Sequence, residues 1–236
     1  MKAMILAAGR GERLRPLTDT LPKPLVHANG KPLIEYHLEK LAKIGITEVV
    51  INQAWLGHML PEQLGNGERW GIEIHYSQEN EALETAGGIK KALPLLGDEP
   101  FLLLNGDIYI DQLPDVFSAL TTVETENLDG FIWLVDNPEH NLKGDFAFAS
   151  KGSTKHAGDL SLNGQPCFTY SGMGIFSPKM FADLPQGSQP LGPLLRQSIV
   201  QAQTFGCHFT HFWCDVGTIE RLKMLNHRLL SQTSKS

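Results

Sequence analysis

Short apolar runs alternate with amphipathic stretches through the first 135 or so residues. Residues 1–8 (MKAMILAA) form an apolar run that stops at Gly9, the pattern of a buried strand. Residues 9–24 carry glycine, arginine, proline, threonine and aspartate with no apolar period, which predicts a long functional loop. Residues 32–44 set Leu33, Tyr36, Leu38, Leu41 and Ala42 near one helical face, and Gly45 ends that helix. Strands are expected over 48–52, 72–76, 101–104 and 130–135, with helices over 56–64, 86–96 and 116–120.

Strand and helix in this order predict an α/β fold, Rossmann-like and doubly wound about a mixed sheet, with ligands at the carboxyl ends of the strands. The rest of the chain is less regular. Short strands are expected over 146–149, 169–171 and 174–176, and helices over 190–202 and 218–230. No internal repeat or linker interrupts the pattern, so 1–236 reads as a single domain. The regular part is residues 1–136 or so, and residues from about 137 are expected to form a small lobe.

Composition changes this picture little. The chain has 236 residues, 42% of them hydrophobic and 19% charged, as in an ordinary soluble domain. A formal net charge of -6 argues against a nucleic-acid partner. Three cysteines without a CxxC pair argue against a disulfide framework or a structural zinc site. No signal peptide or membrane-length apolar run is visible, so the expectation is a cytoplasmic protein with no membrane partner. A monomer is expected. The nine histidines show no ligand spacing; His208 and His211 lie in a segment that reads as strand, which would point them to opposite sides.

Chemistry concentrates in Leu6-Ala7-Ala8-Gly9-Arg10-Gly11-Glu12-Arg13-Leu14-Arg15-Pro16-Leu17-Thr18, directly after the first strand. Small residues let the backbone approach a ligand, and successive N–H groups in such a turn make an anion-binding concavity. Three arginines add forked donors suited to phosphate, and Lys23 follows between two prolines that restrict its backbone. A solvated basic loop is the plain alternative. A dinucleotide-binding turn fits poorly, because Leu14 stands where its third glycine would be, and no GK[ST] is present for a Walker loop. Two aspartates, in Asn105-Gly106-Asp107 after a buried strand and in Trp213-Cys214-Asp215-Val216-Gly217-Thr218, are candidate magnesium ligands if folding unites them. Either one alone also suits a turn or a helix cap, Asp215 in particular before Thr218.

LAAGRGERLRPLT followed by PKPL resembles the signature of the sugar-1-phosphate nucleotidyltransferases, the enzymes that make UDP-, dTDP- and GDP-sugars. The resemblance covers nearly the whole chain, and it implies that residues 1–136 or so are the nucleotide-binding half and residues from about 137 the half with the sugar side and a second metal ligand. It implies transfer of a nucleotidyl group from a nucleoside triphosphate to a sugar 1-phosphate, with Mg²⁺ as cofactor. Ala7, Ala8 and Gly9 would lie along the nucleotide, Gly11 and Arg13 would hold the leaving phosphates, and Lys23 would reach the α-phosphate. Asp107, with Asn105 beside it on the nucleotide, and Asp215 would hold the metal. Glu79 would read the base, and Gly87 and Gly88 would allow close approach to ribose or sugar or serve as helix-start spacers.

Gly144, Asp145 and Ser171 match family segments that face the sugar. The chain departs from the family in having no Glu-Lys-Pro between those segments; Lys151 or Lys155 would have to replace its phosphate-gripping lysine. Asn52 to Gly57, Ala92 to Asp98, Leu134 to Pro138 and Val216 to Leu222 look like a short bacterial branch of the family. That branch uses UTP and N-acetylmuramic acid 1-phosphate in cell-wall recycling. A guanylyl- or thymidylyltransferase is the alternative within the family, and a non-catalytic nucleotide-sugar sensor the alternative outside it.

Overall fold

The computed structural model describes residues 1–149 and 157–233. In chain order its strands and helices are β1 (Ala3–Leu6), β2 (His27–Ala28), β3 (Lys31–Pro32), α1 (Leu33–Lys43), β4 (Glu48–Gln53), α2 (Met59–Leu64), β5 (Glu73–Gln78), α3 (Glu84–Leu96), β6 (Phe101–Asn105), β7 (Ile108–Ile110), α4 (Val116–Thr125), β8 (Gly130–Val135), β9 (Phe146–Phe148), β10 (Ala157–Ser161), β11 (Cys167–Phe176), α5 (Lys179–Ala182), α6 (Leu191–Val200), β12 (Thr204–His208), β13 (Trp213–Asp215) and α7 (Ile219–Thr233). The chain divides into two compact units. One contains Lys2–Ala82, Asn105–Gln112 and the chain from Phe212 onward; the other contains Leu83–Leu104 and Leu113–His211.

In the first unit β1, β4 and β5 are parallel, with Leu6 opposite Asn52 and Gln53 opposite Gln78. Almost every residue of β4 is buried, as expected of a β-branched run covered on both faces. Helix α1 buries Leu33, Ile34, His37, Leu38 and Leu41 along one face. It closes in a Schellman turn, where Gly45 N–H donates to Ala42 O at 3.0 Å and Ile46 N–H to Leu41 O at 3.0 Å. Far along the chain, β13 pairs antiparallel with β7, setting Asp215 opposite Ile108 and Trp213 opposite Ile110. A core of Leu14, Val26, Ala28, Leu33, Tyr109, Val216, Leu222, Leu225 and Leu229 packs around that two-stranded ladder. It joins the arginine loop, α1, the ladder and α7 through side-chain packing.

In the second unit β11 runs antiparallel to both β6 and β8, and β12 is parallel to β8. Strand β10 continues antiparallel from β12, and β9 pairs with both β10 and β11. Helix α4 packs on β8 and β11, and α6 on β12 and β10. The strands expected over 169–171 and 174–176 are one strand. Its register against β8 shifts between Tyr170 and Gly174, and this bulge breaks the alternation that a sequence pattern needs. The strand pattern expected around His208 and His211 ends at His208. Strands β7, β10 and β13 and the β2–β3 hairpin carry no clear signal of their own, being short and paired with distant partners.

Candidate active site

The loop after β1 is built from the inside outward. Leu14 is wholly buried in the core described above, so its neighbours Arg13 and Arg15 face solvent. Burying one leucine contributes roughly 1.5–3 kcal/mol, which anchors a segment rich in charge. The chain winds into three short 3₁₀ turns, Glu12–Leu14, Leu17–Asp19 and Lys23–Leu25. Gly11 takes the left-handed conformation (φ 69°), and a Cβ there would lie 2.9 Å from Thr18 Cγ2 and 3.2 Å from Lys23 Cβ. The wholly buried Thr18 donates its hydroxyl to Gly11 O at 2.8 Å, which ties the turn to the chain leading to Lys23. Gly9 has open space around its Cα, and Ala7 and Ala8 are buried at the end of the strand.

The three arginines are not equivalent. Arg10 lies over the Trp55 ring at 3.9 Å and donates to Asp19 Oδ1 at 2.9 Å. Arg15 donates to the same oxygen at 2.8 Å, and Trp55 Nε1 donates to Thr18 O at 3.0 Å. The two guanidiniums hold the Asp19 carboxyl below its usual range, hydrogen bonds from Arg15 contributing most. Arg13 makes no ion pair among the described residues and reaches toward Gly217, where a Cβ would sit 3.1 Å from its Nη2. It is the loop arginine available to an incoming anion.

Asp107 and Asp215 do come together. The β7–β13 ladder puts Asp215 beside Ile108, and Val216 N–H donates to Asp107 O at 2.7 Å. Gly106, which the sequence reading passed over, bonds through its N–H to Leu6 O at 2.9 Å; a Cβ there would stand 2.6 Å from that oxygen. The turn before Asp107 is thereby held against the end of β1, with Asn105 partly exposed beside it. The Asp107 carboxylate is ion-paired with Lys23, so the lysine between prolines also reaches the site. Asp215 is ion-paired with Arg221 and accepts Gly217 N–H at 2.9 Å. Asp215 is therefore not the cap of α7; Thr218 Oγ1 takes Arg221 N–H at 3.3 Å instead. Arg221 was missed, and nothing in its sequence position signals the contact.

No group of three or more His, Cys, Asp or Glu among the described residues would hold a metal by itself. Asp107 and Asp215, one register step apart in backbone and with side chains 30% and 20% exposed, have the chemistry a hard divalent cation takes, with water and substrate phosphate completing its shell. Cys214, next to Asp215 on β13 and opposite Tyr109, is a packed thiol; burial and the adjacent Asp215 push it up to about 11.

Glu79 is 1% exposed, which removes the reading of a surface glutamate. Its Oε1 accepts Asn52 Nδ2 at 2.7 Å, and Asn52 Oδ1 accepts Ala7 N–H at 2.7 Å. Asn52 is the second residue the sequence reading missed. Its signal was a polar pair, Asn52 and Gln53, ending an otherwise apolar strand.

The expected sugar-side residues lie in the second unit and have local partners. Asp145 accepts Tyr170 N–H at 2.8 Å and Asn141 Nδ2 at 3.3 Å, holding the bulge of β11. Ser171 is buried inside that bulge, and its hydroxyl accepts Met173 N–H at 3.2 Å. A Cβ on Gly144 would meet Asn137 Oδ1 at 2.8 Å. Gly87 is a glycine for packing: a Cβ would stand 2.3 Å from Gly187 O, and its N–H donates to Gln189 O at 3.1 Å. Lys151 and Lys155 lie outside the described residues. His208 accepts or donates to Asp136 at 3.0 Å and rests on Phe168, a structural pairing. A cavity of about 370 Å³ lined by Phe131, Trp133, His208 and residues of α4 contains none of the residues expected to bind substrate.

Residues 2–232 match the family model described as nucleotidyl transferase. The chain is 49% identical over 227 residues to an N-acetylmuramate alpha-1-phosphate uridylyltransferase of Neisseria meningitidis, covering 94% of this chain and 96% of that one. It is 33% identical to the enzyme of the same name from Caulobacter vibrioides, over 91% of each chain. Among solved structures, a putative glucose-1-phosphate thymidylyltransferase from Bacillus anthracis superposes with a TM-score of 0.82, covering 97% of this chain and 94% of that one at 18% identity. That likeness bears on the fold, a mixed α/β sheet of the nucleotidyltransferase type.

Proposed function

Because the chain belongs to the nucleotidyl transferase family, we propose that it transfers the uridylyl group of UTP to N-acetylmuramic acid 1-phosphate, releasing pyrophosphate. The observation that carries this reading is the meeting, in one unit, of Lys23 with Asp107 and of Arg13 with the Asp215 turn. A binding module would need the cations. Asp107 and Asp215 beside them would repel an anion, and a divalent cation held there would offset that charge.

The acceptor is already an anion, so no general base is required. A phosphate oxygen of the sugar phosphate attacks the α-phosphorus of UTP, the bond to the bridging oxygen breaks, and pyrophosphate leaves with that electron pair. The protein's part is positioning and charge. Arg13, with no ion pair among the described residues, meets the charge growing on pyrophosphate. Lys23, already at Asp107, turns its ammonium to the α-phosphoryl oxygens. Gly11 holds the turn that presents the loop N–H groups. Magnesium on Asp107 and Asp215 would supply neutralisation of the donor and acceptor phosphates. Glu79 is the residue assigned to the base, and Ala7, Ala8, Gly9 and Asn105 line the nucleotide. Gly144, Asp145 and Ser171 shape the sugar side through the β11 bulge.

The activity would serve cell-wall recycling in the cytoplasm; no helix among the described residues is long and apolar enough to cross a membrane. The test is pyrophosphate release with UTP and magnesium, comparing the α-1-phosphates of N-acetylmuramic acid, N-acetylglucosamine, glucose and mannose. Fastest release with the muramic acid phosphate is expected. Fastest release with another sugar would keep the reaction and discard the acceptor, and silence with every sugar and nucleotide would discard the reaction.

A further inference from the structure

Three groups from three separate segments meet in a buried chain of hydrogen bonds. Ala7 is the first residue past β1, Asn52 the fifth residue of β4, and Glu79 the first residue past β5. They are 3%, 3% and 1% exposed. Leu6 still pairs with Asn52 in the β1–β4 ladder, but the backbone of Ala7 leaves it. The N–H freed at that point is taken by Asn52 Oδ1 at 2.7 Å. The other end of the same amide donates to Glu79 Oε1 at 2.7 Å, while Glu79 N–H bonds Gln53 O at 2.7 Å. The amide cannot be flipped. A backbone N–H only donates, so the amide oxygen must face Ala7 and its nitrogen must face Glu79.

We propose that Asn52 is a positioning residue that registers base recognition against phosphate binding. Ala7 opens the loop that runs through Gly11 to Arg13, and Glu79 is the residue assigned to the base. This rests on the functional reading above. One planar amide of fixed length spans the two, so the carboxylate and the loop entrance hold a constant separation and orientation. A nucleotide whose base seats correctly then finds its triphosphate opposite the loop, and a wrong base displaces both. The device is buried on all three members, where unmade hydrogen bonds are costly and the arrangement is correspondingly rigid.

The polarity of the amide supplies the test. Asn52→Asp keeps an oxygen for Ala7 N–H but turns a second oxygen on Glu79. Glu79→Gln can still offer its carbonyl oxygen to Asn52. The double variant Asn52→Asp with Glu79→Gln rebuilds the chain with donor and acceptor exchanged between positions 52 and 79. Two carboxylates sharing a proton would imitate the amide at low pH, so Asn52→Leu, which removes both bonds at any pH, runs alongside. Thermal unfolding verifies that each variant is folded.

With UTP, the Asn52→Asp and Asn52→Leu variants should raise KM about ten- to a hundredfold and lose preference between UTP and the other nucleoside triphosphates. The double variant should bring KM most of the way back while keeping the donor preference of Glu79→Gln alone. A residue that merely stabilises the fold would shift the unfolding temperature and leave donor preference intact. Normal KM and preference in a folded Asn52→Leu, or a double variant no better than Asn52→Asp, overturns the proposal alone. A wild-type chain that turns over no nucleotide overturns the functional reading and this proposal with it.

Discussion

Lys23 and Asp107, 84 residues apart in the chain, are joined by an ion pair between the arginine loop and the turn before β7. The lysine side chain is only 13% exposed, so its ammonium has few other partners to turn to. Asp107 is in turn one register step from Asp215, which Arg221 holds in the same manner. Each carboxylate of the proposed metal site is thus kept in place by one cation before any metal or nucleotide arrives. Such preorganisation costs no rearrangement during reaction.

Asp107→Asn should lower turnover by ~10²–10³-fold, the size typical of removing one fixed electrostatic group from such a site. The asparagine keeps a hydrogen-bond acceptor for Lys23, so the fold should survive. Steady-state pyrophosphate release and a thermal melt check the two halves of the statement. Near-normal turnover in the folded variant would remove Asp107 from the metal site.

The loop arginines should separate cleanly. Arg13→Ala should lose turnover by ~10²–10³-fold without loss of stability, because no ion-pair partner among the described residues is stranded when it goes. Arg10→Ala and Arg15→Ala remove pairs with the exposed Asp19, which solvent screens, and in the case of Arg10 a stacking contact with Trp55. Their turnover should stay within about tenfold of wild type. Parallel kinetics on the three variants decide it, and a larger loss at Arg10 than at Arg13 would reverse the assignment of the phosphate ligand.

Much of this was legible from the chain itself. Strands such as β4 and β8 announce themselves as unbroken apolar runs, and α1 as a one-faced period closed by glycine. The loop declared its chemistry through composition, and the two aspartates through their settings. What stayed hidden is what only tertiary pairing creates. Arg10 and Arg13 look alike in sequence, and Asp19 and Trp55 tell them apart. Leu14 reads as a missing glycine, yet it is the buried anchor of the loop. Asn52 and Arg221 act through contacts with Ala7 and Glu79, or with Asp215, and neither carries a motif of its own. The bulge at 170–174 erased the alternation that would have revealed β11 as one strand.

Gly217 offers a test of how closely the arginines and Asp215 are packed. A methyl group there would lie 2.6 Å from Arg221 Nη2, 3.0 Å from Asp215 Oδ1 and 3.1 Å from Arg13 Nη2. Both arginine ends can swing aside, so Gly217→Ala should fold with little change in stability. The displacement itself should lower turnover ~10²-fold, as misplacing a catalytic group by about 1 Å commonly does. It should also raise the magnesium concentration needed for half-maximal rate. A Gly217→Ala variant with wild-type kinetics would mean that the two guanidiniums need not meet over this residue.

His37, buried in α1, should make the metal-free protein sensitive to acid. It is 1% exposed, and neither ring nitrogen makes a well-formed hydrogen bond, the Ile108 backbone lying only within weak reach. Burial, with a smaller contribution from Lys40, lowers its pKa from 6.5 to about 4; the Ile108 backbone opposes this weakly. The unfolded chain therefore binds a proton that the folded chain refuses between those two values. Stability from this group is complete above about pH 6.5, falls as pH drops toward 4, and is level below that. The shift corresponds to roughly 3 kcal/mol across the window. His37→Leu cannot take up the proton, so the difference in urea stability between it and wild type should change by about that amount from pH 7 to pH 4. Other carboxylates titrate in both proteins and cancel in the difference. A pH-independent difference would show that His37 is protonated inside the fold, with a partner for its charge.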